Sequence, residues 1–213
     1  MLKAKPKARQ CKADGCGNTY TSAYGFVKWC SPACGYALSQ KKLNAAAEIA
    51  RKAERKADKA KREAMKTRGD LIQEVQPLFN RKRRLEEHAK GMTCMSCQRP
   101  RHEIEREEGW KPGGAWDAGH FQSVGRKPEL RFEPLNVWLQ CKSCNAGSGK
   151  YAKKSGTVEA AFEANLRAHI GDELVDWLKG PHDLKHYSPD DLRAMKTQLR
   201  AEIRALQQET ETA

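Results

Sequence analysis

The chain has 213 residues, with 40 Lys and Arg against 27 Asp and Glu and a formal net charge of +13, so a polyanion is its natural partner. Mean hydropathy is −0.84, and no apolar run approaches the roughly 18 residues a membrane helix needs, which excludes a transmembrane protein. The N-terminus, Met1 to Gln10, is basic and lacks an apolar stretch, which predicts a cytoplasmic, reducing setting where the eight cysteines serve metal rather than disulfides.

Charge is spread unevenly. Residues 1–68 carry 17 basic and 5 acidic side chains, a balance of +12, whereas residues 155–213 carry 7 and 11, a balance of −4. The positive excess would supply sequence-independent attraction to phosphates. A solvated Lys/Arg helix face is the alternative reading.

In chain order, the first element is a zinc finger over residues 1–35. Its cysteines run Cys11-x4-Cys16-x13-Cys30-x3-Cys34, the ligand count of one tetrahedral Zn²⁺. Ser31 and Pro32 then read as N-cap and first helical residue. A long basic helical region follows over residues 36–90. From Tyr36 to about Gln76 it contains no proline, and Ala46, Ala50, Ala53, Ala57, Ala60 and Ala64 recur at alternating four- and three-residue steps, continued by Leu71 and Leu78. That 3.5-residue repeat predicts a weak coiled-coil seam and a homodimer; a single solvated helix held by Glu–Lys pairs is the other reading. Lys52, Arg55, Lys56, Lys59 and Arg62 flank the seam, and together with Arg81, Lys82, Arg83 and Arg84 they are the candidate DNA-binding residues. Pro77 is expected to break or kink the helix and Gly91 to stop it.

Residues 91–154 hold a second group, Cys94-x2-Cys97-x43-Cys141-x2-Cys144, which predicts a second structural zinc and thus two per chain. The interior is rich in Gly and Pro, with strands expected at Trp116 to Gln122, Leu130 to Phe132 and Val137 to Gln140, and a helix beginning within Gly147 to Lys154. Over residues 155–213 helices are expected at Thr157 to Ile170, Asp172 to Leu178 and Pro189 to Gln208, the last with Ser188 as N-cap, before a frayed end. The fold class is therefore α+β and α-rich.

Chemistry concentrates between the second pair of knuckles, in Trp116-Asp117-Ala118-Gly119-His120-Phe121, in Asn136 behind Pro134, and in Cys141-Lys142-Ser143-Cys144-Asn145. A histidine on a first strand can deprotonate water, an asparagine can pin the connecting loop, and an oxygen ligand at the helix start can hold a hard divalent ion. Phosphodiester hydrolysis needs such a base beside a Lewis acid. Mg²⁺ keeps several waters, so Asp117 and Asn145 suffice as protein ligands. Plainer roles exist for each: a turn for Asp117 or Asn136, core packing for His120, a helix cap for Asn145. Trp110, Trp116 and Trp138 read as packing residues, and His88, His102, His169, His182 and His186 as surface residues.

Cys-x2-Cys, Asp117-x-x-His120, Asn136 and Leu-Gln-Cys-x-x-Cys-Asn resemble an HNH, or His-Me finger, nuclease with a ββα-metal module framed by zinc. Within that superfamily the Asp117 to His120 spacing and Cys144-Asn145-Ala146 are similar to the endonuclease VII type of Holliday-junction resolvase. Over roughly residues 9 to 205, including the Cys-Ser-Pro-x-Cys-Gly finger at 30 to 35, the chain resembles the NinG (Rap) family of lambdoid-phage recombination proteins. The resemblance implies His120 as general base, Asp117 and Asn145 as ligands of a catalytic Mg²⁺ or Mn²⁺, and Asn136 as the residue ordering the histidine loop. It implies a structure-selective endonuclease for branched DNA, Holliday junctions and D-loops included. A non-catalytic zinc DNA-binding mediator and an HNH endonuclease for linear duplex are the alternatives. The chain departs from the pattern at Gly119, where many HNH sequences carry a ligand, and at Ser148, where the resolvase type carries a glutamate.

Overall fold

The computed structural model describes residues 7–147 and 157–212, and the chain divides into two units, Met1–Met65 and Lys66–Ala213.

The first unit opens with a two-residue hairpin, β1 (Arg9–Gln10) against β2 (Thr19–Tyr20), antiparallel with Arg9 opposite Tyr20. Cys11 and Cys16 lie in the turn between them, where the Cys11 amide donates to the Asn18 carbonyl at 2.9 Å. After Cys30 the Ser31 hydroxyl accepts from the Cys34 amide at 3.3 Å and Pro32 takes the first helical position. The α1 helix (Pro32–Ala64) therefore starts where Ser-Pro requires, with Cys34 fixed in its first turn. It buries no residue; Glu48–Lys52 (2.7 Å) supports it from its own surface, and Lys41–Asp14 (2.7 Å) ties it to the finger. The alanines Ala46 to Ala64 and the five basic residues Lys52, Arg55, Lys56, Lys59 and Arg62 are all exposed.

The interruption of the helical region falls at Met65–Thr67, not at Pro77. Thr67 and Asp70 form a reciprocal capping box, Asp70 amide to Thr67 hydroxyl at 3.2 Å and Thr67 amide to Asp70 carboxylate at 2.9 Å, which begins a new helix, α2 (Arg68–Ala89). Pro77 sits inside α2 on its exposed face. A mid-helix proline costs about 3 kcal/mol, but Leu71, Val75 and Phe79 are buried on the opposite stripe and contribute about 1.5–3 kcal/mol each, so packing wins. Leu71 and Leu78 accordingly serve the core of the second unit instead of continuing the alanine seam.

In the second unit β3 (Trp116–His120) pairs antiparallel with β4 (Val137–Cys141), Trp116 opposite Cys141 and His120 opposite Val137. The four-residue α4 (Lys142–Asn145) follows at once. On one side α2 and α7 (Pro189–Thr212) close a cluster of Leu71, Val75, Phe79, Ala118, Val137 and Leu192. On another, α5 (Val158–Ile170) and α6 (Asp172–Lys179) bring Phe162, Leu166, Val175 and Leu178 to Phe121 and Trp138. Thr157 and Ser188 cap α5 and α7, and α7 runs past the expected Gln208.

Leu130 to Phe132 is not a strand. Proline opens both 3₁₀ turns of the loop, Pro128–Leu130 and Pro134–Asn136, where its fixed φ and missing N–H suit a tight turn. The helix α3 (Arg101–Glu108) was not expected, because only Ile104 and Glu108 of its eight residues are buried and one apolar residue gives no period. His88 packs edge-on against Trp116 at 5.4 Å and burial lowers its pKa to about 4, so it is not a surface residue. Trp110 is 79% exposed, its Nε1 donating to the Glu107 carbonyl at 2.9 Å, so it is not a core residue. The helix expected within Gly147 to Lys154, and Ser148, lie outside the described residues.

Candidate functional site

Both cysteine groups converge. Within each group the four sulfurs lie within 4.8 Å of one another; Cys16 and Cys30 are 3.6 Å apart, Cys30 and Cys34 3.7 Å, and Cys97 and Cys141 4.0 Å. Hydrogen bonds from the Cys141 and Cys144 thiols hold Cys94 far below the usual thiol range. Four soft donors this close, at the tetrahedral count, fit a structural Zn²⁺ in each unit. The second cluster is built onto the sheet: the Met95 amide donates to the Leu139 carbonyl at 2.8 Å, and Asn165 of α5 donates to the carbonyls of Met95 and Ser96 at 2.8 and 3.2 Å.

Asn136 is fully buried. Its Oδ1 accepts from the Gln122 amide at 2.7 Å, and its Nδ2 donates to the carbonyls of Gln122 (3.0 Å) and Leu130 (3.1 Å). One side chain thus clamps the two ends of the loop between β3 and β4. That loop supplies the Arg131 carbonyl, which lies 3.1 Å from His120 Nε2. A carbonyl can only accept, so it fixes the tautomer with the proton on Nε2 and leaves Nδ1 with its lone pair. Burial lowers the His120 pKa, opposed by the hydrogen bond to Arg131, so the ring is neutral at neutral pH.

Asp117 and Asn145 meet: Asn145 Nδ2 donates to Asp117 Oδ2 at 3.2 Å. Asn145 is the last residue of α4, not a residue at a helix start. Lys142 also reaches this carboxylate, with Nζ 2.9 Å from Oδ1. The strand register contained that signal, since pairing Trp116 with Cys141 sets residue 142 at the edge adjoining Asp117. Among the described residues no hydrogen bond joins His120 to either, but it lines one cavity of about 380 Å³ with Asn145, Gln140 and Arg126. Gly119 has a steric reason: a Cβ there would stand 1.8 Å from Gln140 Oε1, and Gln140 is itself held by Ser96 at 2.6 Å. The position before the histidine is therefore filled from the partner strand, and on β3 the oxygen ligand falls to Asp117. The hard oxygens of Asp117 and Asn145 fit the small protein share of a Mg²⁺ shell, provided Lys142 releases the carboxylate.

The basic run divides. Arg83 is buried, donating to the Val137 carbonyl at 3.0 Å and pairing with Glu86 at 2.6 Å and Glu87 at 2.9 Å. Lys82 bridges Glu86 at 3.4 Å and Glu202 of α7 at 2.9 Å. These two hold α2 to the sheet and to α7, their charges being paired inside the unit. Arg81 is exposed. Arg84, half-buried, has its pKa lowered by burial and raised by Asp117, which puts a guanidinium near the candidate site.

No described helix is long and apolar enough to cross a membrane. A family model described as Bacteriophage Lambda NinG protein matches residues 3–209. Protein ninG of Escherichia phage lambda is 28% identical over 216 aligned residues, covering 96% of each chain. Protein ninG of Salmonella phage P22 is 27% identical over 214, with 95% of this chain and 96% of the relative covered, and that of Escherichia phage 933W is 28% identical at the same coverage. No solved structure matches the chain.

Proposed function

Given that this chain belongs to the NinG family, we propose that it is a metal-dependent endonuclease of the HNH type that cuts branched DNA, Holliday junctions and D-loops, during phage recombination. The observation that carries this reading is the His120 ring, seated on the carbonyl of a loop locked by the buried Asn136. His120 lines a cavity, and with Nε2 committed to the carbonyl the lone pair on Nδ1 is the one a general base would use. Nδ1 takes a proton from water, and the Nε2–H bond to Arg131 carries the growing positive charge.

Asp117 and Asn145 would hold Mg²⁺ or Mn²⁺, which supplies a Lewis acid for the scissile phosphate and its leaving oxygen. The chain's own cations complete the electrostatics. Lys142 neutralises Asp117 at 2.9 Å, and on release it lies beside the phosphate, as does Arg84. The exposed stripe Lys52, Arg55, Lys56, Lys59 and Arg62 supplies general DNA affinity. Two symmetric nicks in a four-way junction suit a two-fold dimer, for which the exposed alanines of α1 offer a seam.

The Lys142–Asp117 pair favours a second reading, a non-catalytic zinc mediator in which lysine stands permanently where a metal would. One experiment separates them: purified protein incubated with four-way junction, D-loop and linear duplex of matched sequence, with and without Mg²⁺. Metal-dependent cutting confined to branched forms supports the proposal. Binding without cutting favours the mediator, and equal cutting of duplex favours an unselective nuclease.

A further inference from the structure

The finger of the first unit carries a loop between β2 and Cys30 that is braced without the side chains of Tyr24 and Phe26. Tyr20 Oη donates to the Val27 carbonyl at 2.6 Å, the Tyr24 amide to Ser22 Oγ at 3.1 Å, and the Val27 amide to the Tyr24 carbonyl at 3.3 Å. Arg9 closes it from β1, Nη1 donating to the Gly25 carbonyl at 3.0 Å and the Tyr24 carbonyl at 3.4 Å. None of these bonds uses the ring of Tyr24 or Phe26. Those rings are 64% and 71% exposed, with centroids 5.5 Å apart and planes 35° from parallel. Neither joins a buried cluster.

Their surroundings are cationic. The Arg9 guanidinium lies under the tip, and Lys12 and Lys28 are joined by a backbone hydrogen bond of 2.9 Å at the base of the same finger. An exposed pair of aromatic rings on a braced loop with a positive rim matches a nucleobase attached to its phosphates, because the ring stacks and the rim attracts the backbone. A protein partner would need a wider apolar area than two rings. Paired bases hide their faces in the duplex stack, so only unpaired bases can be taken.

We propose that Tyr24 and Phe26 form a stacking site for unpaired nucleobases, by which the finger recognises gaps and branch points in DNA. This rests on the nucleic-acid partner of the proposed function, and not on cleavage.

The test uses the full-length, zinc-loaded protein and 2-aminopurine, placed either in the gap of a gapped duplex or at a paired position. Wild type should quench the unpaired probe. Tyr24→Ala with Phe26→Ala should abolish the quench and weaken gapped-DNA binding by about tenfold or more, while affinity for paired duplex stays within about twofold, its phosphate contacts being retained. Tyr24→Leu with Phe26→Leu should behave as the alanine pair, with zinc content and circular dichroism matching wild type. Undiminished quenching in the alanine pair, equal loss on gapped and paired DNA, or full function in the leucine pair overturns the proposal. Self-association lost in both variants, without change in DNA binding, would make the rings a protein contact and overturn it too. Quenching by a protein that cuts no DNA supports the stacking site while the endonuclease reading fails; a protein that binds no DNA overturns both.

Discussion

Asn136→Ala removes a side chain that is 0% exposed and makes three hydrogen bonds. The Gln122 amide and carbonyl lose this partner, whereas the Leu130 carbonyl keeps the Glu133 amide at 3.2 Å. Each stranded group costs about 1–3 kcal/mol, and water entering the vacated volume recovers part of this, so the low end applies: roughly 2 kcal/mol in all. At about 2–4 °C per kcal/mol for a unit of this size, Tm should fall by roughly 6 °C. Asn136→Asp keeps an acceptor for the Gln122 amide but turns a carboxylate oxygen toward two carbonyls, so it should cost at least as much. Urea unfolding followed by far-ultraviolet circular dichroism, with zinc measured before each run, gives the number. The Arg131 carbonyl moves with the loop, so cleavage should fall further than the unfolded fraction explains. A loss below about 1 kcal/mol for Asn136→Ala, or an aspartate variant as stable as wild type, would refute the clamp.

Elemental analysis should find two zinc ions per chain, and Cys141→Ser should lose one together with the fold of the second unit, since such sites couple binding to folding; a variant that stays folded without its zinc contradicts this. Replacing Lys52, Arg55, Lys56, Lys59 and Arg62 by glutamine should lower the salt slope of DNA binding by up to about 0.9 per lost contact, whereas Arg83→Ala should destabilise the second unit and leave the slope alone. His120→Ala should reduce cleavage by about 100-fold or more with binding retained. Because burial lowers the His120 pKa below the ordinary imidazole value of about 6.5, the ring stays unprotonated down to below that value, so the acid limb of the cleavage profile should lie below about pH 6.5; a limb at higher pH would assign it to another group.

Elements with a local chemical signature were legible. Ser31-Pro32 and Ser188-Pro189 announced their helices, and the cysteine spacings announced two clusters, because capping and metal ligation depend on residues a few positions apart. Alanine spacing misled at the junction of α1 and α2, since a repeat continuing into Leu71 cannot reveal that this leucine faces α7; the box Thr67-x-x-Asp70 was the missed sign. Pro77 misled for the opposite reason, as burial of distant partners overrode a local preference. Among the site residues, Asp117 and Asn145 were expected side by side and lie so, and Asn136 was expected to order the loop. The role of Arg83 depended on the Val137 carbonyl 54 positions away, which a run of four basic residues does not encode.

The second cluster takes Cys94 and Cys97 from one side of the candidate site and Cys141 and Cys144 from the other, so His120, Asn136 and both strands lie within the segment that its zinc would tie off. This sets two timescales for any chelator. An ion held by two side-chain oxygens and water exchanges freely with solvent, whereas one among four mostly buried thiolates departs only as the second unit opens. Inactivation should thus come in a prompt stage, reversed by adding magnesium, and a slow stage, reversed only by zinc and the time the chain takes to fold again. If the chain is the endonuclease proposed, loss of cutting after prolonged chelation is therefore no measure of its Mg²⁺ site by itself; the rate of recovery is.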